Sequence, residues 1–175
     1  ESGAIIETIL NRYAPGKLQL DVANTAYPYY LMWMHYAEGS LASHIGADYR
    51  AWQTKPPKER SPQVDSEQVV QFAEDWLSVH PWFAGPEFSA ADIMMLFPLN
   101  MAVQLNVVDK NQFPKIAEWK ARIDARPAYQ AMLAKARPDG ITSSLPPLSA
   151  HAPSGPRPAA AVAATPPAAT PPRAA

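Results

Sequence analysis

The chain has 175 residues, no cysteine and a formal net charge of -1 at pH 7. The absence of cysteine excludes disulfides, thiolate metal sites and a cysteine nucleophile within this sequence, and the near-neutral charge argues against nucleic-acid binding, which requires a basic face. No apolar run reaches the roughly eighteen residues that a membrane-spanning helix needs. We therefore expect a cytoplasmic protein with no membrane or nucleic-acid partner.

The first expected helix is indicated by apolar residues at helical spacing, namely Ile5, Ile6, Ile9, Leu10 and Tyr13. Ser2 is placed to cap the N-terminus of this helix. Pro15 and Gly16 are expected to end it, because neither residue favours continuation of a helix.

A longer helix is expected to begin after Asn24 or Thr25, either of which can cap it, and to end near Tyr49. One apolar stripe of this helix contains Tyr27, Tyr30, Leu31, Met34, Leu41 and Ile45, and a second contains Tyr29, Trp33, Tyr36 and Ser40. A helix that is apolar on two sides is usually buried on both. The second side is covered either by the bundle of the same domain, or by a partner chain, another domain or a ligand.

The rest of the first 140 residues also has helical patterns and no strand pattern. Residues 53–63 are expected to form a loop, followed by a helix that begins at Asp65 or Ser66 and ends at His80. Pro114 and Pro127 each stand where a further helix is expected to begin. The predicted fold class is therefore all-α, a helical bundle.

Ser89 and Asp92 have the spacing of a capping box at the start of an almost completely apolar helix. The Ser89 side chain would accept from the first turn, while Asp92 would accept from the Ser89 backbone amide. Nucleophilic chemistry at Ser89 is an alternative, but no histidine is spaced to act as its base. We therefore interpret Ser89 and Asp92 as a structural cap.

No metal site is expected from the histidines. His35 and His44 are the two that share a predicted helix, and they do not have the i, i+4 spacing of a helical zinc site. The other two, His80 and His151, are distant in sequence.

The composition changes near residue 140. Residues 141–175 contain no Asp or Glu and hold nine of the 20 prolines, whereas every Trp and Phe lies before this point. Dense proline prevents helix formation, and the segment has too little apolar bulk to offset the entropy of ordering. We expect residues 141–175 to form a disordered Pro/Ala-rich tail.

Five short segments, in this order and near this spacing, resemble bacterial glutathione S-transferases. They are residues 1–6 (ESGAII), 33–41 (WMHYAEGSL), 82–85 (WFAG), 88–93 (FSAADI) and 126–129 (RPAY). The resemblance implies that residues 1–16 are the last helix of a thioredoxin-like domain and that residues 17–140 are the all-α C-terminal domain of that family. It also implies a homodimer.

The activity implied by this resemblance is conjugation of the glutathione thiolate to a small electrophile, with glutathione as a substrate and no cofactor. The thiol-activating Tyr, Ser or Cys of the family would precede residue 1, so this chain alone is expected to be inactive. A rival interpretation is a non-catalytic dimerisation or interaction module, because the same helical domain also occurs in proteins that use it for assembly.

The resemblance also assigns candidate binding residues. Glu1 would hold the ammonium group and Ser2 the carboxylate of the γ-glutamyl part of glutathione, the alternative for Ser2 being a plain helix cap. Tyr29, Trp33 and Tyr36 would line the electrophile pocket. The alternative for these three is core or dimer packing, since aromatic residues at helical spacing usually pack.

Overall fold

The computed structural model describes residues 1–54, 66–137 and 144–148. No β-strand occurs within these ranges, which confirms the expected all-α fold. The helices are α1 (Ser2–Tyr13), α2 (Tyr27–Tyr36), α3 (Ser43–Thr54), α4 (Ser66–Val79), α5 (Ala90–Gln104), α6 (Pro114–Asp124) and α7 (Pro127–Ala136). A π-helical segment, Ala37–Ala42, joins α2 to α3 without a break, and a 3-10 turn, Lys110–Gln112, precedes α6.

The long helix differs from its prediction in three respects. It changes to π-helical geometry at Ala37–Ala42, and it continues past Tyr49 to Thr54, the last residue described before residue 66. Its N-cap is Ala26, which makes no side-chain cap hydrogen bond, so the capping role predicted for Asn24 or Thr25 is wrong. The Asn24 Oδ1 atom instead accepts from the Ala26 amide at 2.9 Å, in the turn that leads into the helix.

The second apolar side of the long helix is covered by the bundle itself. The Trp33 ring, which has no exposed surface, lies 5.2 Å from the Phe72 ring and 5.5 Å from the Trp76 ring, both on α4. Its first side contacts α5, the central helix, where Met34, Leu41 and other residues of the core are buried. Of the two explanations left open by the sequence, packing within one domain is the one that the structure supports.

Helix α5 is fixed at its start by the Asp92 carboxylate, which has no exposed surface. Ser89 Oγ accepts from the Ala91 amide at 3.2 Å, and Asp92 Oδ2 accepts from the Ser89 amide at 2.9 Å. Asp92 Oδ1 accepts from the Phe83 amide at 3.1 Å and from Trp119 Nε1 at 2.8 Å. Burial raises the pKa of the Asp92 carboxyl above its ordinary value, while these hydrogen bonds act in the opposite direction.

The linker between α1 and α2 also contacts this helix start. Gly16, with φ 75°, turns the chain after α1, and Leu18 has left-handed backbone geometry with φ 59°. The Leu18 carbonyl oxygen accepts from the Ala90 amide at 2.7 Å. One of the amides that a helix start leaves without an intrahelical acceptor is thereby satisfied.

Two further buried carboxylates act at helix starts. Asp48 of α3 accepts at Oδ2 from the Ser66 amide at 2.8 Å, at the beginning of α4. Glu74 of α4 accepts from the amides of Lys115 and Ile116, each at 2.8 Å, at the beginning of α6. Carboxylates are favoured there because the free amides and the helix dipole are both complementary to negative charge.

Helix α1 has one face against the bundle and one face in solvent. Leu10 is buried and Ile6 is partly buried, whereas Ile5, Ile9 and Tyr13 are exposed. None of the described helices combines the length and the apolar character needed to cross a lipid bilayer.

Part of the predicted tail is docked on the fold. The Leu148 amide donates to the Leu105 carbonyl at 3.0 Å, and Asn106 Nδ2 donates to the Leu148 carbonyl at 2.9 Å. The Tyr49 hydroxyl donates to the Pro146 carbonyl at 2.7 Å, and the Leu148 side chain is buried. Residues 144–148 therefore depart from the predicted disorder, and the rest of residues 138–175 lie outside the described ranges. Of the loop expected at residues 53–63, residues 53 and 54 belong to α3 instead, and residues 55–63 lie outside the described ranges.

The hydrogen bond of Trp119 can be tested with a matched pair of substitutions. Trp119 and Trp33 are equally buried, but Trp33 Nε1 has no hydrogen-bond partner among the described residues. We expect Trp119→Phe to lower the free energy of unfolding by about 1.5–3 kcal/mol more than Trp33→Phe, because it removes a donor from a buried carboxylate. Urea denaturation of both variants measures the difference, and equal losses would contradict the role assigned to Asp92.

The docked segment gives a second prediction. A chain ending after Ala150 should keep the stability of the whole chain, whereas one ending after Gly140 should unfold with a free energy about 2 kcal/mol lower, because it loses a buried leucine and three hydrogen bonds. Thermal and urea denaturation of the two shortened chains provide the measurement. Identical transitions would show that residues 144–148 contribute nothing to stability.

Candidate ligand site at the start of helix α1

A cleft of about 670 Å³ opens where the start of α1 faces the end of α2 and the π-helical segment. Its lining residues are Glu1, Ser2, Gly3, Ala4, Glu7, Met34, His35, Glu38, Gly39 and Met94. Met94 of α5 forms part of its base, with Cε 3.8 Å from the position that a Cβ atom on Gly3 would occupy. The cleft contains both residues that the sequence analysis assigned to ligand binding, Glu1 and Ser2.

The start of α1 has no side-chain cap. The N-cap residue is Glu1, and no side chain accepts a cap hydrogen bond there. The expectation that Ser2 caps the helix is therefore wrong, because Ser2 is already the first helical residue. The free amides of the first turn and the positive end of the helix dipole face a cleft that can receive an anion.

Ser2 instead contacts a residue that the sequence analysis did not select. Ser2 Oγ donates to Glu38 Oε1 at 2.9 Å. A signal for Glu38 was present in the sequence, because it lies four residues after Met34 and three before Leu41 on an otherwise buried stripe. In the structure Glu38 is exposed, next to the buried Ala37.

The π-helical segment contains Glu38, and side chains of α3 satisfy its carbonyl groups. Ser43 Oγ contacts the carbonyl oxygens of Gly39 and Ser40 at 2.7 and 3.0 Å, and His44 Nδ1 lies 2.7 Å from the Ser40 carbonyl oxygen. A π-helical turn leaves carbonyl groups poorly aligned for helical bonding, so these side chains stabilise it. Such turns are frequent at functional sites.

The cleft has an uneven charge distribution. The carboxylates of Glu1, Glu7 and Glu38 line it, and its lining includes no Lys or Arg. These carboxylates are suited to a ligand ammonium group, whereas the amides at the start of α1 are suited to a ligand carboxylate. A ligand end that carries both groups, as an α-amino acid does, would match both features.

A second cleft of about 600 Å³ lies along the same two helices and shares Glu7 and His35 with the first. It is lined by residues of the α1–α2 linker and of α2, including Asp21, Tyr27 and Tyr30. Burial raises the pKa of Tyr30, with a smaller contribution from the negative charge of Glu7. The two clefts are therefore adjacent along α1, with Glu7 and His35 between them.

The aromatic residues assigned to an electrophile pocket lie away from both clefts, in a cluster with α4. Trp33 is completely buried, and its ring lies 4.7 Å from the Phe83 ring, so Trp33 is a core residue and its assignment to a pocket wall is wrong. Tyr29 is partly buried and its ring lies 4.9 Å from the Trp76 ring. For Tyr29 and Tyr36 the pocket role stays a prediction.

Tyr36 acts as a donor in this cluster. Its hydroxyl donates to the Val69 carbonyl at 3.1 Å, and burial raises its pKa well above the ordinary value. Tyr36 therefore stays protonated at neutral pH and is unsuited to act as a base. Among the residues that the structure describes, no group of three His, Asp or Glu side chains could hold a metal ion.

Comparison with known proteins shows what the helical domain is similar to. Residues 48–127 match the family model described as glutathione S-transferase, C-terminal domain. Glutathione S-transferase 3 of Schizosaccharomyces pombe is 25% identical over 159 residues, covering 81% of this chain and 65% of the relative. The disulfide-bond oxidoreductase YfcG of Escherichia coli is 29% identical over 111 residues, covering 61% of this chain and 51% of the relative.

A solved structure supports the same fold. A glutathione S-transferase from Actinobacillus pleuropneumoniae superposes with a TM-score of 0.68 at 24% identity, covering 77% of this chain and 62% of that one. The chain thus spans less than two thirds of the length of each of these proteins. The resemblance to the family is confirmed for the C-terminal helical domain.

Two serines at helix starts provide a test of the local geometry. Ser89→Ala should lower the free energy of unfolding by about 1–2 kcal/mol, because α5 loses its side-chain acceptor. Ser2→Ala should change it by about 0.5 kcal/mol or less, because Ser2 is exposed and does not cap α1. Urea denaturation of both variants measures the contrast, and a Ser2→Ala loss as large as that of Ser89→Ala would contradict it.

Proposed function

We propose that the protein binds glutathione and joins its thiolate to a small electrophile, a proposal supported by the match of residues 48–127 to the glutathione S-transferase C-terminal domain. The cleft at the start of α1 would hold the γ-glutamyl end of glutathione. Ser2 and the first-turn amides would bind its carboxylate, and Glu1 would bind its ammonium group. The contact that carries this proposal is the one between Ser2 and Glu38, which places a hydroxyl and a carboxylate beside a helix start without a side-chain cap.

The proposed role of the described cleft is binding rather than activation of the thiol. Conjugation requires the thiolate, so an enzyme of this kind must lower the pKa of the thiol. The carboxylates of Glu1, Glu7 and Glu38 would raise that pKa if the thiol lay beside them. We propose that the contacts to the cysteine and glycine of glutathione, and the thiol-activating group, come from a further part of the protein, as the greater length of the relatives suggests.

Glutathione-dependent disulfide exchange is a second candidate, favoured by the similarity to a protein named as a disulfide-bond oxidoreductase. Both candidates use the glutathione thiolate and the same γ-glutamyl contacts, and they differ in what the thiolate attacks. We further propose that the protein is a homodimer. A non-catalytic interaction module is the alternative in which the cleft binds no glutathione.

Titration calorimetry with glutathione tests this proposal. Residues 1–175 alone should bind weakly or not at all, because a helix start contributes about 0.3–1 kcal/mol, too little to order a flexible tripeptide. The protein expressed from its complete coding sequence should bind, and Ser2→Ala in that protein should weaken binding about ten- to hundred-fold, because a charge-assisted hydrogen bond of about 1.5–3 kcal/mol is lost.

Two activity assays on the protein from the complete coding sequence separate the candidates. Conjugation of glutathione to an aryl halide supports the transferase, and reduction of a small disulfide by glutathione without conjugation supports the oxidoreductase. Ser89→Ala, measured below its unfolding transition, is the control that affects a helix start away from the cleft. The absence of glutathione binding by this protein would reject both candidates in favour of the interaction module.

A further inference from the structure

A cleft between α4, α5 and α6 has the form of a small-molecule site. Its volume is about 340 Å³, and it shares no lining residue with either cleft along α1. Small-molecule sites usually have volumes of about 300–1,000 Å³ and mostly apolar walls. Six core residues, each less than a tenth exposed, line this cleft: Val70, Leu99, Val108, Phe113, Ile116 and Trp119.

The packing of α6 accounts for this cleft. Helix α6 packs mainly on α4, and Trp119 connects it to α5 through the hydrogen bond from Nε1 to Asp92. Ala117 and Ala121, one turn apart on α6, also line the cleft and are exposed. Their methyl side chains are too small to fill the space between α5 and α6, so an apolar part of the core stays accessible.

The charged groups of the lining favour one anion. Lys110, on the 3-10 turn before α6, is exposed, and its side chain has no hydrogen bond or ion pair among the residues that the structure describes. The other charged residues of the lining, Lys120 and Asp124, pair with each other, with Nζ 2.7 Å from Oδ2. Lys110 is therefore the cation that remains for a ligand.

The attraction for an anion does not come from the start of α6. Glu74 already accepts from the amides of Lys115 and Ile116 there. Asn100 and Gln104, one turn apart on α5, line the cleft with side-chain amides, which can donate to a carboxylate. The polar part of the lining thus consists of one cation and neutral amides beside an apolar wall.

We propose that this cleft binds a medium-chain monocarboxylate, with the hydrocarbon chain against the apolar wall and the carboxylate beside Lys110. Burial of each CH₂ group of the chain is favourable, and a single negative charge matches the single unpaired cation. A phosphate or another small dianion fits less well, because it has no apolar part to occupy the wall. The inference is independent of the proposed function, since it concerns different residues and a different ligand.

Titration calorimetry with octanoate and octan-1-ol tests the charge preference. The two ligands have hydrocarbon chains of the same length and differ in the carboxylate. The proteins, expressed from the complete coding sequence, are the wild type, Lys110→Gln and Lys115→Gln. Lys115 is the matched control, because its Nζ lies 2.9 Å from Glu118 Oε1 and it does not line the cleft.

We expect the wild type to bind one octanoate with a Kd on the order of 0.1 mM, and octan-1-ol about fivefold more weakly. Lys110→Gln should weaken octanoate binding about fivefold and leave octan-1-ol binding within about twofold, while Lys115→Gln should change neither by more than about twofold. Absent octanoate binding, equal wild-type affinities for the two ligands, or equal effects of the two substitutions would each overturn the inference.

A second pair of variants tests the location. Ala117→Leu places a larger side chain in the cleft at an exposed position, so it should weaken the binding of both ligands about fivefold or more. Ala128→Leu, at an exposed position of α7 outside the lining, should leave both affinities within about twofold of the wild type. Unchanged octanoate binding by Ala117→Leu would show that the ligand occupies another place and would overturn the inference.

Discussion

Asp92 has no exposed surface, yet its two oxygens receive hydrogen bonds from three parts of the chain: the start of α5, the Phe83 amide and the Trp119 ring on α6. A buried carboxylate that loses a donor is left with uncompensated charge, so these partners cannot move independently. The register of α5 is thereby fixed. Met94, two residues after Asp92, lies at the base of the α1 cleft because of that register. The geometry of the candidate site thus depends on a hydrogen-bond network far from its charged residues.

The other buried carboxylates also accept hydrogen bonds from helix starts. Asp48, Glu74 and Asp92 are the buried acidic residues of the described ranges, and each accepts from amides at a helix start. Helix termini supply hydrogen-bond donors and a positive potential to each of these carboxylates. No side-chain cap is formed at the starts of α1, α2 and α7, and the first turn of α1 lines the cleft that contains Glu1 and Ser2.

Much of the helical domain was predictable, because the sequence patterns that mark its helices each lie within a few neighbouring residues. The starts of α6 and α7 follow from Pro114 and Pro127, and an apolar α5 preceded by Ser89 follows from spacing alone. The missed features depend on contacts between distant residues. Glu74 caps a helix 41 residues away, and residues 144–148 contact Tyr49, Leu105 and Asn106. Likewise, helical spacing placed Trp33 among aromatic residues, but it could not show that α4 covers its ring.

The candidate site was only half predictable for a related reason. Glu1 and Ser2 were found through a sequence motif. That motif covers the start of α1 and contains no residue of the π-helical segment that faces it. The opposite wall comes from a residue 36 positions away, whose only sequence signal is a charge on an apolar stripe. In the structure Glu38 is exposed, so its charge remains hydrated although its neighbours Ala37 and Leu41 are buried. In this fold α1 does not cover that position; its first turn lies beside it and leaves a cleft. Glu38 and the start of α1, which no side chain caps, therefore line the same polar cleft. Neither element fills this cleft by itself.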